Sequence, residues 1–249
     1  MTVETYRIDH APAYAGLTLQ LKAGETMVVE SGAMATMDSC ITLKSKMKGG
    51  LLQGLGRMLG GESLFLSEFT AEGRPGQLYV CPGVPGDIEH YCLDGSRSLL
   101  IQSSGFVAAR PTVTIDTQFQ GMKGFFSGES LFLLRATGTG DIWFSSFGGI
   151  LEVPVTGDYV VDTGYIVAFE DSLNYSVEML GGLSLQGLRT GILGGDGLVC
   201  RFRGQGKVWI QTRRLHNLIN FLEPFRPVKS SDSLTSGFSL LKFLGSFFR

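Results

Sequence analysis

The chain has 249 residues; 35 are glycine, twice the typical ~7% share, and 18% are charged against a usual ~25%, which excludes charge-driven disorder. Twenty-one Lys and Arg against 23 Asp and Glu leave a net charge of −2. That balance lacks the basic excess a phosphate-neutralising surface needs, so DNA is excluded as an expected partner and RNA is disfavoured.

The opening Met1-Thr-Val-Glu-Thr-Tyr-Arg has an early Glu4 and no apolar run, so it does not read as a secretory signal, and a cytoplasmic location is expected. Cys40, Cys81, Cys92 and Cys200 form no C-x-x-C pair and read as reduced, mostly buried thiols. No window reaches the ~18 consecutive apolar residues of a spanning helix.

Along the chain, one pattern returns. Gly16-Leu-Thr-Leu-Gln-Leu-Lys-Ala-Gly24 leads to Glu25-Thr-Met-Val-Val-Glu-Ser-Gly32, and Gly149-Ile-Leu-Glu-Val-Pro-Val-Thr-Gly157 leads to Asp158-Tyr-Val-Val-Asp-Thr-Gly164; a longer copy runs from Gly86 through Asp94-Gly95 to Ser104-Gly105. Gly61-Glu-Ser-Leu-Phe-Leu66 recurs as Gly128-Glu-Ser-Leu-Phe-Leu133 and more weakly as Gly195-Asp-Gly-Leu-Val-Cys200, at two equal intervals of 67 residues. After each copy a glycine turn precedes an aromatic: Tyr79, Trp143 and Trp209. Alternation as in Leu17, Leu19 and Leu21 is the period of a half-buried strand, and glycine supplies the positive φ that tight reversals need. Each copy therefore predicts strands punctuated by glycine turns and interrupted by one insert. Three modules, 1–85, 86–148 and 149–214, are expected to pack in a pseudo-threefold arrangement around a shared apolar centre, because a lone module of that size buries a marginal core.

The inserts are apolar and Gly-rich. Leu51, Leu52, Leu55, Met58 and Leu59 fall at helical spacing, but five glycines before Gly61 weaken any helix, each costing ~1 kcal/mol relative to Ala. Phe125 and Phe126 occupy the second insert. These residues either cap the ends of the modules or form an exposed patch that contacts a protein or lipid surface. In the last part, 215–249, Leu215, Leu218, Ile219 and Leu222 predict a short amphipathic helix stopped by Pro224, followed by a serine-rich linker and the apolar 238–249 tail.

Chemistry is harder to find. His10, His90 and His216 are scattered, so no paired-histidine metal site is expected. Neither G-x-S-x-G nor a phosphate-binding loop occurs. Catalysis, a metal and a cofactor are therefore not expected. Tyr79, Trp143 and Trp209 read as inter-module packing, with base stacking beside Arg201, Arg203, Lys207, Arg213 and Arg214 as the alternative.

Arg57-Met-Leu-Gly-Gly-Glu-Ser-Leu-Phe-Leu66, followed by a glycine turn and strand, with Ser31-Gly32 and Thr163-Gly164 before the inserts, resembles the mitochondrial biogenesis family named for altered inheritance of mitochondria, its twenty-fourth member, over about residues 5–215. The resemblance implies an all-β chain of three domains similar to the tryptophan RNA-binding attenuation protein, each a shortened double-stranded β-helix. It carries over no catalytic residue, and likeness of fold does not transfer RNA binding. The functional expectation is a non-catalytic homo-oligomeric interaction or scaffold protein, trimer favoured, peripheral to a membrane or bound to a protein partner. The alternative is a small-ligand or RNA-binding module using grooves between the domains.

Overall fold

The computed structural model describes residues 5–46, 66–116, 133–179 and 198–226. The chain divides into two units, Met1–Arg214 and Leu215–Arg249.

The first unit is built of antiparallel strands. After β1 (Tyr6–Asp9), a first segment holds β2 (Gly16–Leu21), β3 (Thr26–Glu30), β4 (Met34–Met37), β5 (Ile41–Lys46), β6 (Leu66–Ala71) and β7 (Gly76–Val80). A second holds β8 (Ile88–Asp94), β9 (Leu99–Gln102), β10 (Phe106–Ala109), β11 (Val113–Asp116) and β12 (Leu133–Ser145). The third holds β13 (Ile150–Asp162), β14 (Ile166–Glu170), β15 (Asn174–Met179) and β16 (Leu198–Gln211).

In the first segment β7 pairs with β2 and β4, and β6 with β3 and β5. In the second, the later half of β12 pairs with β8 and β10 and its earlier half with β9 and β11. In the third, β16 pairs along its length with β13, and its two halves pair with β14 and β15. Each segment carries a register shift at the start of one strand: Met34/Thr36 in β4, Phe106/Ala108 in β10 and Ile166/Ala168 in β14. Such an extra residue bends a strand and increases its twist.

The glycine turns expected from sequence are in part stretches of continuous strand. β12, β13 and β16 run unbroken through Gly138 and Gly140, Gly157 and Gly204, all at positive φ. The strand runs on without reversing, and on either side of the glycines it takes different partners, β9 and β11 or β8 and β10 for β12, β15 or β14 for β16. At Gly138, with φ +106, a Cβ would also collide with the Thr112 carbonyl oxygen, so both backbone conformation and space demand glycine.

Two ladders join the segments. Val28 and Val29 of β3 face Ala109 and Ala108 of β10, and Leu99, Leu100 and Ile101 of β9 face Glu170, Phe169 and Ala168 of β14. The first joint completes a six-stranded run, β8-β12-β10-β3-β6-β5; the second completes β13-β16-β14-β9-β12-β11. In place of one shared apolar centre, the core forms three clusters. The first holds Leu17, Leu19, Met27 and Leu78 with Trp143 from the second segment; the second holds Leu99, Phe106 and Phe144 with Trp209 from the third. The third packs Phe169, Phe202 and Val208 against Leu100 and Leu133.

β2 departs from its half-buried pattern because Thr18 is as buried as its apolar neighbours. β1, which the repeat pattern does not reveal, pairs along β2 and covers it, and the Thr18 hydroxyl donates to Asp9 Oδ2 at 2.7 Å.

In the second unit, α1 spans Leu215–Leu222, as the spacing predicts, and a 3-10 turn at Glu223–Phe225 takes up Pro224. None of its residues is buried. Among the described residues, no helix is long and apolar enough to cross a membrane.

Candidate interaction surface

Each joint between segments is closed by a polar cluster. At the β3–β10 joint, Arg110, which follows β10, forms an ion pair with Glu25 and donates through Nε to Asp141 Oδ2 at 3.2 Å. Asp141 also pairs with His90 Nε2 at 2.9 Å. The His90 ring lies 4.7 Å from Tyr6 and 5.4 Å from Trp143, so the cluster sits directly on the aromatic core.

The β9–β14 joint uses the same backbone positions with charges exchanged. Glu170, buried at the end of β14, stands where Arg110 stands. It accepts from the Tyr91 hydroxyl at 2.9 Å, from Arg97 Nη1 at 3.4 Å and from the Lys207 backbone N–H at 3.1 Å. Burial and the adjacent Glu170 carboxylate raise the Tyr91 phenol far above its ordinary pKa, so it remains a donor. Asp171 adds a second contact, accepting from the Ser98 N–H at 3.0 Å and pairing with Arg135 at 3.3 Å. A buried carboxylate is tolerable only with such donors around it.

Trp143 and Trp209 are 0% and 1% exposed, which leaves neither with a free face for a nucleobase. Each rather fills the core of the preceding segment: Trp143 packs edge-on to Tyr6, and Trp209 edge-on to Tyr91 and Phe144. Tyr79 is half-buried and lies against Gly16 in the first segment; the three aromatics therefore occupy different surroundings. Leu51, Leu52, Leu55, Met58, Leu59, Phe125 and Phe126 lie outside the described residues.

Arg201, Arg203, Lys207 and Arg214 near Trp209 are matched by acids, while Arg213 donates to the Thr212 carbonyl oxygen at 2.8 Å. Arg201 bridges Asp158 at 2.9 Å and Glu178 at 3.1 Å, holding both carboxyls below their ordinary pKa; Arg203 also reaches Asp158. Lys207 pairs with Glu152 at 3.0 Å and Arg214 with Asp162 at 3.3 Å. This cluster carries little uncompensated charge for a phosphate backbone to neutralise.

The cysteines are free, but only Cys200 is buried; Cys40 is half-buried and Cys81 and Cys92 are exposed, correcting the expectation of mostly buried thiols. Alternation explains the difference, because Cys92 lies on the outer face of β8 and Cys81 follows the end of β7. Burial pushes the Cys200 thiol up to about 12, which makes it inert. Among the described residues no group of three or more His, Cys, Asp or Glu is placed to hold a metal. A shallow cleft at the first joint is lined by Val28, Leu66, Glu68, Pro111, Val113 and Ile115.

A crystal structure of a Streptococcus pyogenes protein superposes with a TM-score of 0.73 at 25% identity, covering 89% of this chain and 99% of that one. An uncharacterized protein of Streptococcus pyogenes serotype M6 is 27% identical over 237 residues, 91% of this chain and 92% of its own. The family model described as mitochondrial biogenesis AIM24 matches residues 6–213, and the chain belongs to that family.

Proposed function

We propose that the protein is a non-catalytic, homo-oligomeric interaction or scaffold module, with a trimer favoured, cytoplasmic and peripheral to a membrane. Its three segments are read as copies of one shortened double-stranded β-helix, similar to the tryptophan RNA-binding attenuation protein. The recurring pairing scheme and register shift support the triplication. For a closed pseudo-threefold, a third ladder between β4 and β13 is still required, and none is present among the described residues.

The observation that carries the interaction reading is where polarity and apolarity lie. Charged groups are engaged in the joints, while Leu215, Leu218, Ile219, Phe221 and Leu222 of α1 are between 37% and 67% exposed. An amphipathic helix with an uncovered apolar face suits a lipid surface or a protein groove. Co-sedimentation with vesicles of the full chain, and of a chain ending at Pro227, tests the membrane part. Binding by the full chain supports it, and failure of both chains removes it.

The cleft at the first joint favours a second reading, a small-ligand or RNA site between segments. Titration with RNA pools and with tryptophan tests it; flat isotherms dispose of it.

A further inference from the structure

The two joints follow one rule. A strand that carries the register shift, β10 or β14, is laid antiparallel on the strand that precedes the reversal in the segment before it, β3 or β9. Two strands are left over. β4 carries the register shift of the first segment, yet it ends the four-stranded run β1-β2-β7-β4. The 158–162 half of β13 precedes the reversal of the third segment, yet among the described residues it pairs only with β16, at the other end of the strand order.

These two edges are complementary in kind, and they are more exposed than most of their equivalents at the made joints; of the two residues that match Val160, Leu100 is buried and Val28 half-buried. Ala108, Ala109, Ala168 and Phe169 are at most 1% exposed at the made joints. Met37 is 39% exposed, Tyr159 37% and Val160 39%. The remaining half-sheets, β2-β7-β4 and β13-β16-β15, would unite in the same strand order as the two complete six-stranded runs.

We propose that β4 of one copy adds to the outer half of β13 of a second copy, forming a third joint between chains by the rule that forms the two within the chain. This rests on the oligomeric reading above and gives it a surface and a register. The strand β10 places Ala108 opposite Val29 and Ala109 opposite Val28; β14 places Ala168 opposite Ile101 and Phe169 opposite Leu100. Counting from the register shift and from the 3-10 turns at Ser103–Gly105 and Thr163–Tyr165, Thr36 falls opposite Val161 and Met37 opposite Val160. Because unlike edges meet, the contact is head-to-tail, and a closed ring leaves no free end. Main-chain hydrogen bonds supply the pairing, and the exposed Met37, Tyr159 and Val160 supply apolar area.

The test is sedimentation equilibrium of the full chain in three forms: wild type, M37K/V160K and M37K/V160E. Tryptophan fluorescence from Trp143 and Trp209 checks that each is folded. The joint requires wild type to self-associate and M37K/V160K to dissociate at concentrations at least tenfold higher than wild type tolerates. It also requires M37K/V160E to associate at least tenfold more tightly than M37K/V160K: Arg201, opposite 160 within the chain, meets the sign at 160 in monomer and assembly alike, so a difference in association reports the opposition of 37 and 160. A folded wild type that stays monomeric overturns both this joint and the oligomeric reading. Self-association that neither variant alters overturns the joint alone, and equal weakening by both variants overturns the register.

Discussion

The β3–β10 and β9–β14 joints share strand order, direction and register, yet their polar clusters are near mirror images in charge. At the first, a cation, Arg110, sits between Glu25 and Asp141. At the second, an anion, Glu170, sits between Arg97 and the backbone of Lys207. The backbone ladder and the apolar contacts therefore define a joint, and the polar cluster needs only to be internally complementary. Surroundings differ too: Arg110 has 17% of its side chain exposed and Glu170 only 6%. Glu170 is the more deeply buried of the two central charges, although its partner Arg97 is 53% exposed, and removing it should cost more.

The largest expected effect is loss of the aromatic anchor. Trp209→Ala and Trp143→Ala each empty a fully buried site, and each should lower unfolding free energy by about 4 kcal/mol in urea denaturation. Near-equal losses would support equivalence of the joints; a difference above ~2 kcal/mol would show that one anchor dominates. Next comes Glu170→Ala, which strands the Tyr91 hydroxyl and the Lys207 N–H. About 3 kcal/mol should be lost, against about 1 kcal/mol for Glu25→Ala, where Arg110 keeps Asp141.

Exchange of polarity sharpens the comparison. Glu170→Arg alone puts a cation beside Arg97 and removes the acceptor of the Lys207 N–H, and it should be among the most disruptive changes at the second joint. The triple change R97E/E170R/K207D rebuilds there the acid–Arg–acid order of the first joint. It should recover part of that loss yet stay about 3 kcal/mol below wild type, because the Tyr91 hydroxyl and the backbone N–H at 207 still lack the Glu170 acceptor, as read by thermal unfolding at neutral pH. Failure of the triple variant to improve on E170R would mean that the second joint depends on its particular side chains.

Much of this was legible in sequence, and the omissions have physical causes. Glycine spacing and the 67-residue interval marked strand-rich stretches in all three segments but put one strand before each insert where there are two, β4 and β5, β10 and β11, β14 and β15; the i, i+3, i+4, i+7 spacing from Leu215 placed α1. Glycine signals positive φ, however, and does not say whether one strand ends and the next begins, as at Gly32 between β3 and β4, or a single strand runs on through it, as at Gly157. The joints were invisible for another reason. Ladder pairing between β3 and β10 depends on backbone groups that every residue carries, and Glu25 and Arg110 are 85 residues apart. Burial of Trp143 and Trp209 followed from their equivalent places, but which segment each would fill did not.

A smaller, pH-dependent effect is expected at one position occupied differently in each segment. Glu30 ends β3, Gln102 ends β9 and Asp162 ends β13. Gln102 is buried and carries no charge, while Asp162 accepts from the Gly164 N–H and pairs with Arg214. At Glu30, burial pushes the carboxyl from 4.5 up to about 7. Its protonated form is thus favoured by folding. The contribution is fully present below pH 4.5 and is lost as pH rises through 7, where ionisation must occur in a poorly solvated place. Glu30→Gln installs the neutral amide that the second segment already uses. After discounting for the solvent that still reaches the group, the variant should be about 1.5 kcal/mol more stable relative to wild type at pH 8.5 than at pH 4.5. Urea midpoints across that range measure the difference; a pH-independent gap between the two proteins would mean that this position in the first segment is as well solvated as an ordinary surface.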